Sequence, residues 1–150
     1  MPSVKDHLFN ACQEFIDKKI KSAQMGIDEL QESADTETKS SVGDKYETNR
    51  AMIHIEREKF SAQLLESQKM QKVMAQIKTD KQSKKVALGS LVMTNLGNYY
   101  IAIAVGKTKI EGKDYFIISQ ASPIGQQFSG KTAGSEFEFN KRKYKIQEVL

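Results

Sequence analysis

Asp44 and Glu47 stand three residues apart in "GDKYETNR" (Gly43–Arg50), within the most acidic part of the chain. On a helix an i, i+3 pair shares one face. Two carboxylates so placed can jointly bind a hard divalent cation such as Mg²⁺, which keeps waters or phosphate oxygens in its remaining positions. They are too few to hold that ion alone, so such a site becomes complete only inside a partner that provides the other ligands. Folding offers a second use for the same residues. Asp44 as N-cap with Glu47 at N3 makes a capping box that satisfies the unpaired N–H groups of a helix start, for about 1 kcal/mol. The D-x-x-E spacing recurs by chance and decides nothing in isolation. Capping leaves Asp28, Glu29 and Glu32 unexplained, because they fall near the expected C-terminus of the preceding helix, where the macrodipole disfavours negative charge.

The remaining chemically capable residues read as structure. His7 and His54 are far apart and lack the Cys or carboxylate spacing of a zinc site, so both are expected to be exposed helix residues. Cys12 lies on an apolar stripe, where a small buried hydrophobe is expected rather than a nucleophile. Lys18, Lys19, Lys21, Lys69 and Lys72 could guide RNA phosphates but read as a solvated face. Tyr99, Tyr100, Tyr115 and Phe116 are expected to pack a sheet rather than to stack bases.

The elements that must position these residues follow from periodicity. From Val4 to about Ala34 the apolar positions Leu8, Cys12, Phe15, Ile16, Ile20, Ala23, Ile27 and Leu30 recur in steps of three and four, predicting one long helix. A second stripe runs from Tyr46 to about Ile77 through Ile53, Phe60, Leu64, Met70 and Met74, with Met52 and Ile55 beside it. Two long helices with one apolar stripe each need a partner. The segment joining them, "DTETKSSVG", is polar and turn-forming, so an antiparallel coiled-coil hairpin is predicted over residues 1–80, with Ser41–Glu47 at its far end. At ~1.5 Å per residue over roughly 30 residues, each arm would be on the order of 45 Å long.

Beyond "KTDKQSKK" the pattern changes to alternation and continuous apolar runs. "VALGSLVMTN", "NYYIAIAVG", "KDYFIISQ", "SEFEFN" and "YKIQEVL" predict five strands, with turns at "NLGN", "KIEGK" and "FNKRK". Ser122 before Pro123 predicts a helix start, with Gly130 as its stop. Residues 81–150 are therefore expected to form a small domain, and the fold class is α+β.

Composition limits what such a chain can be. With 150 residues, 39% of them hydrophobic and 28% charged, it can form one ordinary domain or two small ones, and the lean apolar content suits an exposed helical part. One cysteine excludes an internal disulfide framework. The N-terminus has no signal-peptide pattern and no apolar run approaches a membrane span, so a cytoplasmic protein that does not engage membranes is expected. Residues 1–80 carry 12 Lys/Arg against 14 Asp/Glu, and residues 81–150 carry 11 against 5. From Asp28 to Glu47 there are seven acids and two lysines. A basic C-terminal part with an acidic tip suits a partner that is itself electrostatically divided, such as a nucleic-acid enzyme with a metal-dependent site.

"GDKYETNRA" (Gly43–Ala51) at the tip of a helical hairpin, followed by "SPIGQQFSGKTAGSEFEF" (Ser122–Phe139), resembles the Gre family of bacterial transcript-cleavage elongation factors. The likeness covers the whole chain in architecture and is strongest over Ser122–Phe139. It implies a C-terminal domain with an FK506-binding-protein-like fold that docks on bacterial RNA polymerase within a DNA-bound transcription complex. It also implies a coiled coil that enters the secondary channel toward the nascent RNA 3′ end. Carried over by the motif, Asp44 and Glu47 after Gly43 would assist Mg²⁺ supplied in the polymerase active site as it hydrolyses backtracked RNA. The protein would act as a monomer, with no cofactor and no catalytic centre of its own. Thr48 stands where the family has asparagine, Ala51 where it has tyrosine, and Tyr46 appears within the motif. A secondary-channel regulator without cleavage activity is therefore the nearest alternative. An FKBP-like peptide-binding or prolyl isomerase module and a purely structural coiled-coil adaptor are the others.

Overall fold

The structure is a computed structural model. It describes the backbone of residues 2–37 and 43–150, and the side chains of residues 2–35 and 49–150. The chain is α+β, with two long N-terminal helices, α1 (Val4–Glu37) and α2 (Gly43–Ala75), followed by a six-stranded mixed sheet. It divides into two compact units, Phe15–Gln71 and a second comprising Met1–Glu14 with Lys72–Leu150.

In the helical unit the apolar stripes form as their spacing predicts. Ile16 and Ala23 of α1 are fully buried, while Ile53, Phe60 and Leu64 of α2 are half-buried. Met52 and Ile55, beside the stripe, are exposed. The helices approach closely at Gly26, where a Cβ would stand 2.6 Å from two carbons of the Phe60 ring. Further along, Arg57 donates to the side-chain carbonyl of Gln31 at 3.1 Å. One stripe position is polar: Ser67 is buried, and its hydroxyl donates to the Gln63 carbonyl at 2.9 Å, one turn back, as a serine inside a helix must if it is to enter an apolar seam.

The other unit is built on β1 (Leu91–Thr94), β2 (Gly97–Ala102), β3 (Gly106–Ile110), β4 (Lys113–Ser119), β5 (Glu136–Phe139) and β6 (Arg142–Val149), in the order β3-β4-β2-β1-β6-β5. Among the six described strands only β2 and β4 pair in parallel. β2 lies inside the sheet with Tyr99, Tyr100, Ile101 and Ala102 all buried, which is why it reads as a continuous apolar run rather than as alternation.

Successive residues face opposite sides of the sheet. One side carries Val92, Tyr99, Ile101, Tyr144 and Ile146, and Phe128 from the short helix α3 (Pro123–Phe128) packs against it. Its rings are in contact: Phe128 lies 4.9 Å from Tyr99 between centroids and edge-on to Phe137 at 5.1 Å. On the other side Leu91, Tyr100 and Ile117 share a register row. There the first turns of α1 and the end of α2 meet the sheet. Cys12 lies beside the backbone N–H of Ile103 and near Tyr100, and a Cβ on Gly89 would stand 3.0 Å from Ile77.

Six strands form rather than the five expected. "GKTKI" (Gly106–Ile110) pairs antiparallel with β4, from Gly106↔Ile117 to Ile110↔Lys113, and the expected turn "KIEGK" shrinks to Glu111 and Gly112, both with positive φ. Being an edge strand, β3 contacts one neighbour and leaves Lys107 and Lys109 exposed, so its alternation is polar and weak. The strand expected over "VALGSLVMTN" is likewise reduced to Leu91–Thr94.

Candidate functional site

The acid pair falls at the start of α2. The helix begins at Gly43, so the backbones of Asp44 and Glu47 lie in its first two turns with the i, i+3 spacing that puts both on one helical face. Residues 38–42, including Ser41 and Val42 of the expected tip, lie outside the described residues, as do the side chains of Asp44 and Glu47. The two helices approach in opposite senses: Gly26 meets Phe60, and five residues later Gln31 meets Arg57, three residues earlier.

α1 extends to Glu37, beyond the expected Ala34, so Asp28, Glu29 and Glu32 lie more than a turn before its end. The last turn instead carries Asp35 and Glu37 and has no basic residue. Negative charge at a helix C-terminus opposes the macrodipole, so the acidic bias at this end works against local helix stability. Nearby, a recess of about 290 Å³ is lined by Gln31, Asp35, Arg50, Ile53 and Arg57. Its charge is mixed, in contrast to the purely acidic pattern of Asp44 and Glu47. Among the described residues no three His, Cys, Asp or Glu side chains gather as a metal-binding group.

The second segment singled out by sequence, Ser122–Gly130, is held tightly. The Ser122 hydroxyl accepts from the Gly125 N–H at 3.0 Å and donates to the Ser119 carbonyl at 2.7 Å, while Pro123 opens α3. Gly125 admits no side chain, since a Cβ there would stand 2.1 Å from the Ser119 carbonyl oxygen. "SPIG" is thus a compact cap in which Ser122, Pro123 and Gly125 each have a steric or hydrogen-bonding task.

The other expectations can be placed residue by residue. His54 is exposed and contacts Glu58 one turn on at 3.2 Å, and His7 contacts Glu111 at 3.5 Å. Cys12 is fully buried, and that burial pushes its thiol up to about 12, against the slight opposing pull of the Ile103 N–H. Such a thiol is not a nucleophile at neutral pH. Lys18, Lys21 and Lys72 are exposed, Lys19 lies over the Phe15 ring, and Lys69 contacts Glu66. Tyr99, Tyr100 and Tyr115 are buried in the sheet. Sequence reasoning missed two buried polar groups. The Tyr100 hydroxyl has no hydrogen-bond partner among the described residues, and the ammonium of Lys5 is drawn into the sheet unit. Nothing in local spacing distinguishes either from an ordinary strand tyrosine or helix lysine.

Compared with protein-family models, with curated proteins and with solved structures, the chain matches none.

Proposed function

We propose that the protein is an RNA-polymerase-binding elongation factor of Gre type. In this reading α1 and α2 form a coiled-coil hairpin that enters the polymerase secondary channel, while the sheet unit, FKBP-like in this proposal, docks on the enzyme. The observation that carries the reading is the inverse pairing of the two helices, Gly26 with Phe60 and Gln31 with Arg57, together with the start of α2 at Gly43, so that Asp44 and Glu47 open the second helix. The rigid "SPIG" cap adds support, because it lies in the segment where the resemblance is strongest.

The chemistry follows from the ligand count. Asp44 and Glu47 offer hard oxygen donors, suited to Mg²⁺ but insufficient to retain it without the polymerase. Within the complex Asp44 and Glu47 would help to hold the ion and would orient a water for in-line attack on the scissile phosphate of backtracked RNA. The metal supplies charge stabilisation at the phosphate. Thr48 and Ala51, which depart from the family motif, favour the second reading, a secondary-channel regulator that binds without promoting cleavage.

The deciding experiment adds the purified protein to a stalled, backtracked complex of its own polymerase and follows the RNA 3′ end. Shortening of the RNA is expected. Binding without shortening would replace the cleavage reading with the regulatory one, and absence of binding would remove both.

A further inference from the structure

Lys5, the second residue of α1, is only 7% exposed. Burying an ammonium is costly unless an opposite charge or a full set of hydrogen bonds replaces its water. Among the described residues no carboxylate lies within ion-pair distance of Lys5, and its hydrogen bonding is incomplete. Lys5 Nζ donates to one neutral acceptor, the Lys81 carbonyl, at 3.1 Å, and has two further N–H groups. The adjacent Asp6 is engaged elsewhere, its Oδ2 accepting from the Ser3 N–H at 2.9 Å and the Ser3 hydroxyl at 3.1 Å. Burial lowers the Lys5 pKa from its ordinary value, and the charge of Asp6 only partly opposes that.

The ammonium lines a recess of about 300 Å³, with Lys78, Lys81, Gln82, Ser83 and Ser90 among its other walls. No lining residue is acidic, and among the described residues none of the three lysines forms an ion pair with a carboxylate. Ser90 is buried, and its oxygen already accepts from the Ala87 N–H at 3.0 Å, which leaves the hydroxyl proton to donate. The positive charge and the hydroxyl donor of this recess are therefore complementary to an anion.

We infer that this recess binds a small phosphate-bearing anion of the diphosphate class, held by Lys5, Lys78 and Lys81 with Ser90 as a hydroxyl donor. A doubly charged oxyanion satisfies the spare donors of the Lys5 ammonium where it lines the recess, and charge-assisted bonds of this kind are the stronger class. The recessed position of Lys5 suits a free or terminal phosphate group better than the mid-strand phosphates of a nucleic acid, which need an open groove. The site is independent of Asp44 and Glu47.

The test is calorimetric titration of the full-length protein with inorganic pyrophosphate, repeated with an unphosphorylated oligonucleotide and with chloride at matched ionic strength. Saturable pyrophosphate binding in the millimolar range or tighter, not reproduced by either control, is expected. Lys5→Met keeps the packed stem and removes the charge, so it should weaken binding at least about tenfold while leaving the fold as stable or more so. The exposed pair Lys78→Ala with Lys81→Ala should weaken binding to a similar degree, and it decides the matter if Lys5→Met does not fold. The inference is overturned if pyrophosphate shows no saturable binding, if chloride or the oligonucleotide reproduces it, or if folded variants bind like the parent.

Discussion

The ring of Phe60 occupies the space that a side chain at Gly26 would fill, with a Cβ at Gly26 falling 2.6 Å from ring carbons Cε1 and Cζ. A mid-helix glycine costs about 1 kcal/mol relative to alanine, so Gly26→Ala on an isolated helix would stabilise it. Against Phe60 the added methyl must displace an aromatic ring, an overpacking cost of about 1–3 kcal/mol. The single substitution should therefore be destabilising. In a Phe60→Ala background the sign should reverse, with Gly26→Ala gaining about 1 kcal/mol. Chemical denaturation of the four proteins of this cycle measures the coupling, and additive effects would mean that the two positions do not meet.

Tyr100 predicts an inversion of the usual rule for core substitutions. Its hydroxyl is buried without a hydrogen-bond partner among the described residues. Removing an unsatisfied group refunds its desolvation cost, about 1–3 kcal/mol, and leaves the ring packing unchanged. Tyr100→Phe should match or exceed the parent in stability. A loss of more than about 1 kcal/mol in the same denaturation assay would show that the hydroxyl has a partner.

Cys12 gives the alkaline limb of the stability curve a defined slope. Its thiol is pushed by burial from 9.0 to about 12, so between those values the unfolded chain has lost the proton that the folded chain keeps. Where the unfolded state binds fewer protons, stability falls as pH rises. This group alone should cost up to about 1.4 kcal/mol per pH unit between about pH 9 and 12, the loss fading out within about a unit below pH 9. Cys12→Ala lowers stability by a constant cavity term, so comparing its pH dependence with that of the parent isolates the proton. Parallel curves from pH 8 to 10 would contradict the assignment.

At the start of α2, capping and catalysis can be separated by charge. Asn caps a helix about as well as Asp, and Gln can replace Glu in a capping box, so Asp44→Asn with Glu47→Gln should hold stability within about 1 kcal/mol. The same changes replace both anionic ligands with weaker neutral ones. Under the proposed function the double variant should melt like the parent and still bind polymerase. It should lose stimulated cleavage by orders of magnitude, with partial recovery at raised Mg²⁺. Undiminished cleavage would leave the two residues as a helix cap.

Sequence alone determined the two helices, because Leu8, Cys12, Ile16 and Ala23 carry a period that only a helix can gather onto one side, and each of the four is fully buried. It also determined the short helix after Ser122, since a hydroxyl cap followed by proline and glycine acts within a few residues of chain. Tertiary structure decided the rest. Strand β3 is a strand only because β4 offers it an edge, and Lys107–Lys109 carries too little apolar alternation to announce it. The parallel register of β2 with β4 joins segments whose own sequences are silent about which neighbour they will pair with. Lys5 reads as one more helix lysine until Lys81, from far along the chain, supplies the carbonyl that holds its ammonium under the surface. The division is physical: periodicity and caps depend on neighbours a turn away, whereas edge pairing and the desolvation of a charge depend on partners that the chain meets only after it has folded.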